Sequence, residues 1–152
     1  MESRNQLRQK KLREMPDKLI PSIDLDPPEI LVAEDDREMR QFMAMALADC
    51  GYRVCEARDG IEALEALERR EGDAPFDALI VDMWMPGLTG LDIMDTLRSK
   101  DWSTPVVFVS GFVTGRVHEE AERLGAFEVL PKPFRLSELV DTVEKAAAPV
   151  WR

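Results

Sequence analysis

The sequence predicts an α/β protein built on a doubly wound, five-stranded parallel sheet. Three observations lead there. Short apolar runs alternate with stretches of helical period from residue 29 onward; that alternation implies right-handed βαβ units. Runs such as ALIV and VVFV are apolar throughout instead of at every second position, as strands covered on both faces require. The breaks in this pattern are polar and fall where strands should end.

The elements follow in order. Strands are expected over 30–33, 52–55, 78–81, 106–109 and 127–130, and helices over about 37–49, 60–70, 90–99, 115–124 and 136–147. Met39, Phe42, Met43 and Leu47 form one amphipathic stripe and Leu139, Val140 and Val143 another, spaced to face a core from a helix. Asp36 stands where it can cap the first of these helices. Pro86-Gly87 and Gly90 shape the path after the third strand, and the methionines read as core filling. Residues 1–28 contain Pro16, Pro21, Pro27 and Pro28 and read as a short helix, about 4–14, followed by a Pro-rich linker. Residues 149–152 form a tail. A chain of 152 residues with 45% hydrophobic and 33% charged residues can bury one domain core.

Charge narrows the function. The net charge is −10, but residues 1–28 carry +1 and the remainder −11. An acidic body of this kind excludes DNA or RNA binding through its folded surface, leaving 8–13 as the one basic run, read as a solvated, partly helical tail. No apolar run reaches the roughly 18 residues that span a bilayer, and the charged N-terminus lacks the apolar core of an export signal. Cys50 and Cys55 are therefore expected as free, small, buried apolar side chains in a cytoplasmic protein.

The polar breaks gather at the carboxyl ends of strands: Glu34-Asp35-Asp36 after the first, Asp82 at the third, Ser110 at the fourth and Lys132 after the fifth. With strand order 2-1-3-4-5, this edge is where ligand sites form. Neighbouring strands are about 4.8 Å apart, so Asp82 has acids on one side and a hydroxyl on the other, while Lys132 must reach across two strands. Crowded carboxylates need a cation, and hard oxygen ligands with room for water suit Mg2+. Such a site can neutralise a phosphoryl group in transfer to a carboxylate nucleophile.

At this point the segments ILVAEDD (30–36), LIVDMWMPGLTGLDIM (79–94), PVVFVSG (105–111) and GAFEVLPKPF (125–134) resemble the receiver domains of two-component response regulators, with a flavodoxin-like fold, over about 29–148. The resemblance implies that Asp82 is the phosphoacceptor, that Glu34, Asp35, Asp82 and the Trp84 backbone carbonyl hold Mg2+, that Ser110 is the switch hydroxyl and that Lys132 contacts the phosphoryl oxygens. It implies a cis Lys132–Pro133 bond. It further implies a sensor histidine kinase or histidine phosphotransfer protein as donor, and a downstream partner or homodimer at the fourth-helix, fifth-strand and fifth-helix face of the receiver, about 115–147. The chemistry expected is self-phosphorylation and slow self-dephosphorylation, not turnover by an enzyme.

Two positions depart from the family pattern: Glu34 stands where Asp is commoner, and Val129 stands where an aromatic accompanies the switch hydroxyl. A haloacid-dehalogenase-type hydrolase would need an acid at Trp84, and an FMN binder would not place three acids after its first strand. His118 reads as a surface histidine. The chain ends at Arg152, directly after the last helix, so it is read as a stand-alone regulator, with a phosphorelay module or a degenerate docking receiver as alternatives.

Overall fold

The computed structural model of the protein describes residues 3–13, 27–70 and 76–148. It contains α1 (Arg4–Arg13), β1 (Glu29–Ala33), α2 (Arg37–Asp49), β2 (Arg53–Ala57), α3 (Gly60–Glu68), β3 (Ala78–Asp82), α4 (Gly90–Ser99), β4 (Val106–Ser110), α5 (Gly115–Arg123), β5 (Glu128–Pro131) and α6 (Leu136–Ala146). The five strands are parallel and lie in the order β2-β1-β3-β4-β5, as the sequence predicts. Residues 14–26 and 149–152, which hold most of the expected linker and the tail, lie outside the described residues.

The continuous apolar runs are explained by the two cores. Side chains alternate across each strand, so Leu79 and Val81 face one layer while Ala78 and Ile80 face the other. The first layer packs β1, β3 and β4 against α3, α4 and α5 through Leu67, Ile93, Met94, Leu97 and Ala121. The second packs them against α2 and α6 through Met43, Leu47, Leu139 and Val143. Every residue of β3 and β4 is buried.

Helix starts follow local chemistry. Asp36, Asp59, Thr89 and Thr114 each accept a hydrogen bond from a first-turn amide, and Thr89 with Asp92 forms a full capping box; such caps satisfy amides that the helix itself cannot. Gly90 opens α4 for a different reason. A Cβ there would lie 2.8 Å from Phe108 Cε1 and 3.0 Å from the Asp82 carbonyl oxygen, so only a glycine lets α4 start this close to the end of β3.

Some expectations need correction. Phe42 and Met45 are 61% and 66% exposed, so the buried stripe of α2 is Met43, Ala44 and Leu47, and not every methionine fills the core. Strand β2 begins one residue and ends two residues later than the apolar run indicates. It is an edge strand that is only partly buried, with Arg53 and Glu56 exposed, so its apolar letters do not mark its ends. Cys50 and Cys55 are free, as expected, but only partly buried.

The N-terminal helix is docked rather than wholly solvated. Asn5 Nδ2 donates to the Cys50 carbonyl at the end of α2, and Arg4 pairs with Asp77 at 3.4 Å. Gly51, at φ +91°, lies directly under the Asn5 amide, where a side chain would collide. This contact sits at the amino edge of the sheet. Arg98 makes another tie on α4: its guanidinium donates to the carbonyls of Trp102 (2.6 Å), Leu124 (3.4 Å) and Gly125 (3.4 Å), joining the end of α4 to the end of α5.

Gly90→Ala is expected to lower stability by roughly 1–3 kcal/mol through overpacking against Phe108 and β3. Urea unfolding followed by circular dichroism measures it, and an unchanged midpoint would refute the close-packing explanation.

Candidate functional site

The parallel ladder does not stop at the ends of the strands. Glu34 N–H donates to Ala57 O (3.0 Å), Met83 N–H to Val109 O (3.0 Å) and Lys132 N–H to Ser110 O (2.7 Å). The register pairs Ala33 with Val81, Asp82 with Val109 and Ser110 with Pro131. Backbone pairing thus brings Glu34, Asp82, Ser110 and Lys132 to one edge, as expected from the sequence.

Their side chains converge. Lys132 Nζ lies 3.0 Å from both oxygens of Glu34 and 3.1 Å from Asp82 Oδ2. Glu34 is 1% exposed and Asp82 5%. Asp35 is exposed, yet carboxylate oxygens of Glu34, Asp35 and Asp82 lie within 4.8 Å of one another. The Lys132–Pro133 bond is cis. Trp84 donates its backbone N–H to Asp82 Oδ1 (3.0 Å), and its indole Nε1 reaches the Phe112 carbonyl (3.5 Å). Ser110 is fully buried; its hydroxyl donates to the Phe112 carbonyl (3.1 Å) and accepts from the Phe112 amide (3.2 Å). The hydroxyl and the indole therefore share one acceptor on the loop leading to α5.

The electrostatics follow from burial. Loss of solvent pushes the Glu34 carboxyl up to about 7, and its hydrogen bond to Asp82 adds to the rise while Lys132 opposes it. Burial alone would lower the Lys132 pKa, but the hydrogen bonds and charges of Glu34 and then Asp82 outweigh it, so the ammonium is held more firmly than usual. Three acids and one cation leave an excess of negative charge at the edge. Hard, convergent oxygens with one exposed member match the donor set of a Mg2+ site.

Sequence reasoning missed Arg40. Its Nη1 donates to the Glu34 carbonyl (2.9 Å) and its Nε pairs with Glu56 (3.3 Å), fixing the backbone at the end of β1. Phe112 is 69% exposed, so its side chain extends into solvent while its carbonyl serves the site. His118 pairs with Glu122 on the surface at 3.0 Å.

The family model of the response regulator receiver domain matches residues 30–144. This chain belongs to the response regulator receiver family. The receiver protein CpdR of Brucella abortus is 34% identical over 116 residues, which cover 76% of this chain and 93% of CpdR. The response regulator MprA of Mycobacterium leprae is 41% identical over 113 residues, 73% of this chain but only 47% of MprA; the chain thus spans less than half of that relative. Among solved structures, the chemotaxis protein CheY4 of Vibrio cholerae aligns with a TM-score of 0.72 at 30% identity, covering 79% of this chain and 98% of that one. Among the described residues, no helix is long and apolar enough to cross a membrane.

Because the folded-state pKa of Glu34 lies above that of an unfolded Glu, the native state binds the extra proton. The stability this confers is complete below about 4.5 and is lost as pH rises through about 7. In EDTA, the urea midpoint of the wild type is expected to fall between pH 5 and pH 8 more steeply than that of Glu34→Gln. Equal slopes would mean that Glu34 does not titrate in this window.

Proposed function

We propose that this receiver takes a phosphoryl group on Asp82 from the phosphohistidine of a sensor kinase or phosphotransfer protein. The observation that carries the reading is the Lys132 ammonium held between Asp82 and Glu34 within 3.1 Å, with Asp35 completing the acidic cluster. An Asp82 oxygen attacks the phosphorus, the P–N bond to the donor imidazole breaks, and the imidazole leaves with the bonding electrons. The product is an acyl phosphate. Lys132 balances charge on the phosphoryl oxygens, a role that requires it to exchange a carboxylate partner for the new group. Ser110 does the same with its hydroxyl, releasing the Phe112 carbonyl. Glu34, Asp35, Asp82 and the Trp84 carbonyl would hold Mg2+, which when bound neutralises phosphoryl charge.

The signal leaves through the face of α5, β5 and α6, toward a protein partner or a second copy. Movement of Ser110 bears directly on the loop that ends at the Thr114 cap of α5, a bistable element of the kind such switches use. With −11 on residues 29–152, the body is read as engaging protein and not nucleic acid. Two free cysteines suit a reducing cytoplasm. Self-phosphorylation and self-dephosphorylation are the only reactions assigned to the chain itself.

With acetyl phosphate and Mg2+, the wild type should acquire a hydroxylamine-sensitive label that Asp82→Asn and EDTA each abolish. Full labelling of the Asn variant would remove Asp82 from the role; undiminished labelling in EDTA would remove the metal.

The rate of dephosphorylation turns on Trp84. Its indole lies across the mouth of the site toward Phe112, and a bulky apolar group there excludes the attacking water rather than orienting it. Trp84→Asn and Phe112→Glu are each expected to speed loss of the label, the Trp84 change more, because Phe112 faces solvent. Equal or slower decay in both variants, followed with radiolabelled phosphate, would show that neither side chain gates water.

A further inference from the structure

Asp35 differs from the other two acids of the site in what holds it. The Glu34 and Asp82 carboxylates are both buried against Lys132 Nζ, within 3.1 Å. Asp35 is exposed, and its carboxylate accepts no hydrogen bond among the described residues. Where it stands is therefore set by its backbone, the short link between Ala33 at the end of β1 and Arg37 at the start of α2. One residue takes hold of that link on both sides of Asp35. The Arg40 backbone N–H donates to the Asp36 carbonyl (2.9 Å), and Arg40 Nη1 donates to the Glu34 carbonyl (2.9 Å). The guanidinium is anchored in turn. Its Nε lies 3.3 Å from Glu56 on β2, and the side chain is only 14% exposed. A planar fork that serves two acceptors from one fixed position is what arginine provides and lysine does not. Bonds from a charged donor are also stronger than neutral ones.

We propose that Arg40 is a positioning residue for the metal: by clamping the Glu34–Asp35 peptide it holds the Asp35 carboxylate where the acidic cluster can take up Mg2+. The inference rests on the proposed phosphoacceptor reading and deepens it by assigning a residue that touches neither the metal nor the phosphoryl group. The Glu34 carbonyl and the Asp35 N–H belong to one rigid peptide plane. Releasing the carbonyl frees that plane to turn. The turn carries Asp35 away from the cluster, whose carboxylate oxygens lie within 4.8 Å of one another. Metal ligands depend on outer partners of this kind to stay in place. Arg40 exerts two effects of opposite sign. Its charge, bonded behind Glu34, opposes a cation at the cluster, so loss of the charge alone tightens Mg2+. Loss of the clamp loosens it. The sign of the change reports which effect governs.

The test is a Mg2+ titration of the ¹⁵N-labelled full chain, followed by the amide shifts of 34–36 and 82–84. Arg40→Met removes charge and donors together. It should weaken Mg2+ about tenfold or more, the usual cost of losing an outer partner of a ligand. Arg40→Lys keeps the charge but replaces the fork by one flexible donor group, and should weaken Mg2+ severalfold. Affinity then falls in the order wild type, Arg40→Lys, Arg40→Met. Tighter Mg2+ in Arg40→Met with no change in Arg40→Lys would overturn the proposal in favour of a purely electrostatic role. Unchanged affinity in both, whether or not the urea midpoint falls, would overturn it in favour of a role in folding alone. Should Arg40→Met not fold, wild-type affinity in Arg40→Lys is enough to overturn it. Asp35→Asn separates this inference from the reading beneath it. Mg2+ shifts in the wild type that Asp35→Asn abolishes show the metal site intact whatever the Arg40 variants do. No such shifts in the wild type would remove the metal site and the role of the clamp together.

Discussion

The architecture depends on one ammonium group. Glu34 is 1% exposed, and a carboxylate that deep costs several kcal/mol unless a partner compensates it. The partner is Lys132, 98 residues away in sequence. For Nζ to reach both Glu34 and Asp82, the ends of β1, β3 and β5 must converge on one edge, and the side chain of Lys132 must pass over the end of β4. That fixes what may stand there: Ser110 is small, fully buried and turned onto its own loop. The strand order β2-β1-β3-β4-β5 is the one in which acids, acceptor, hydroxyl and lysine are neighbours in that sequence.

The central strands and the site were legible because two strong constraints write themselves into residue type. A strand buried on both faces must be apolar at every position, so 78–81 and 106–109 could be read as they stand. Polar residues at the ends of such runs have no structural reason to be there, which made Asp82, Ser110 and Lys132 conspicuous. Where a constraint is weaker the reading slipped. The half-buried edge strand β2 carries Arg53 and Glu56 among its apolar residues, and Phe42 fits a helical stripe by spacing while facing solvent. Contacts made by polar side chains to backbone carbonyls were invisible for a different reason. Arg40 on Glu34, Asn5 on Cys50 and Arg98 on Leu124 depend on where a carbonyl points, and no periodicity encodes that.

The two edges of the sheet serve different ends. The carboxyl edge gathers charge that is only partly balanced. The amino edge is tied internally: Asp77 accepts from the Glu29 amide (2.8 Å) and pairs with Arg4, while Glu29 pairs with Arg70, whose guanidinium lies 3.9 Å from the centre of the Phe76 ring. The helix α1 joins this second network, the full length of the strands away from Asp82. Its contribution is to the framework against which the opposite edge can change its bonds.

The Arg98 clamp gives that change a direction. Two carbonyls at the tail of α5, those of Leu124 and Gly125, are held by the guanidinium that also holds Trp102 after α4, whereas the head of the helix follows the exposed stretch 111–114. A rod fastened at one end swings at the other. With nine residues rising about 1.5 Å each, a tilt of about 10° carries the head through roughly 2 Å while the tail hardly moves. In the proposed switch, such a lever would convert a change in one hydroxyl's partner into a graded displacement, largest beside Thr114, smaller at His118 and vanishing toward Leu124.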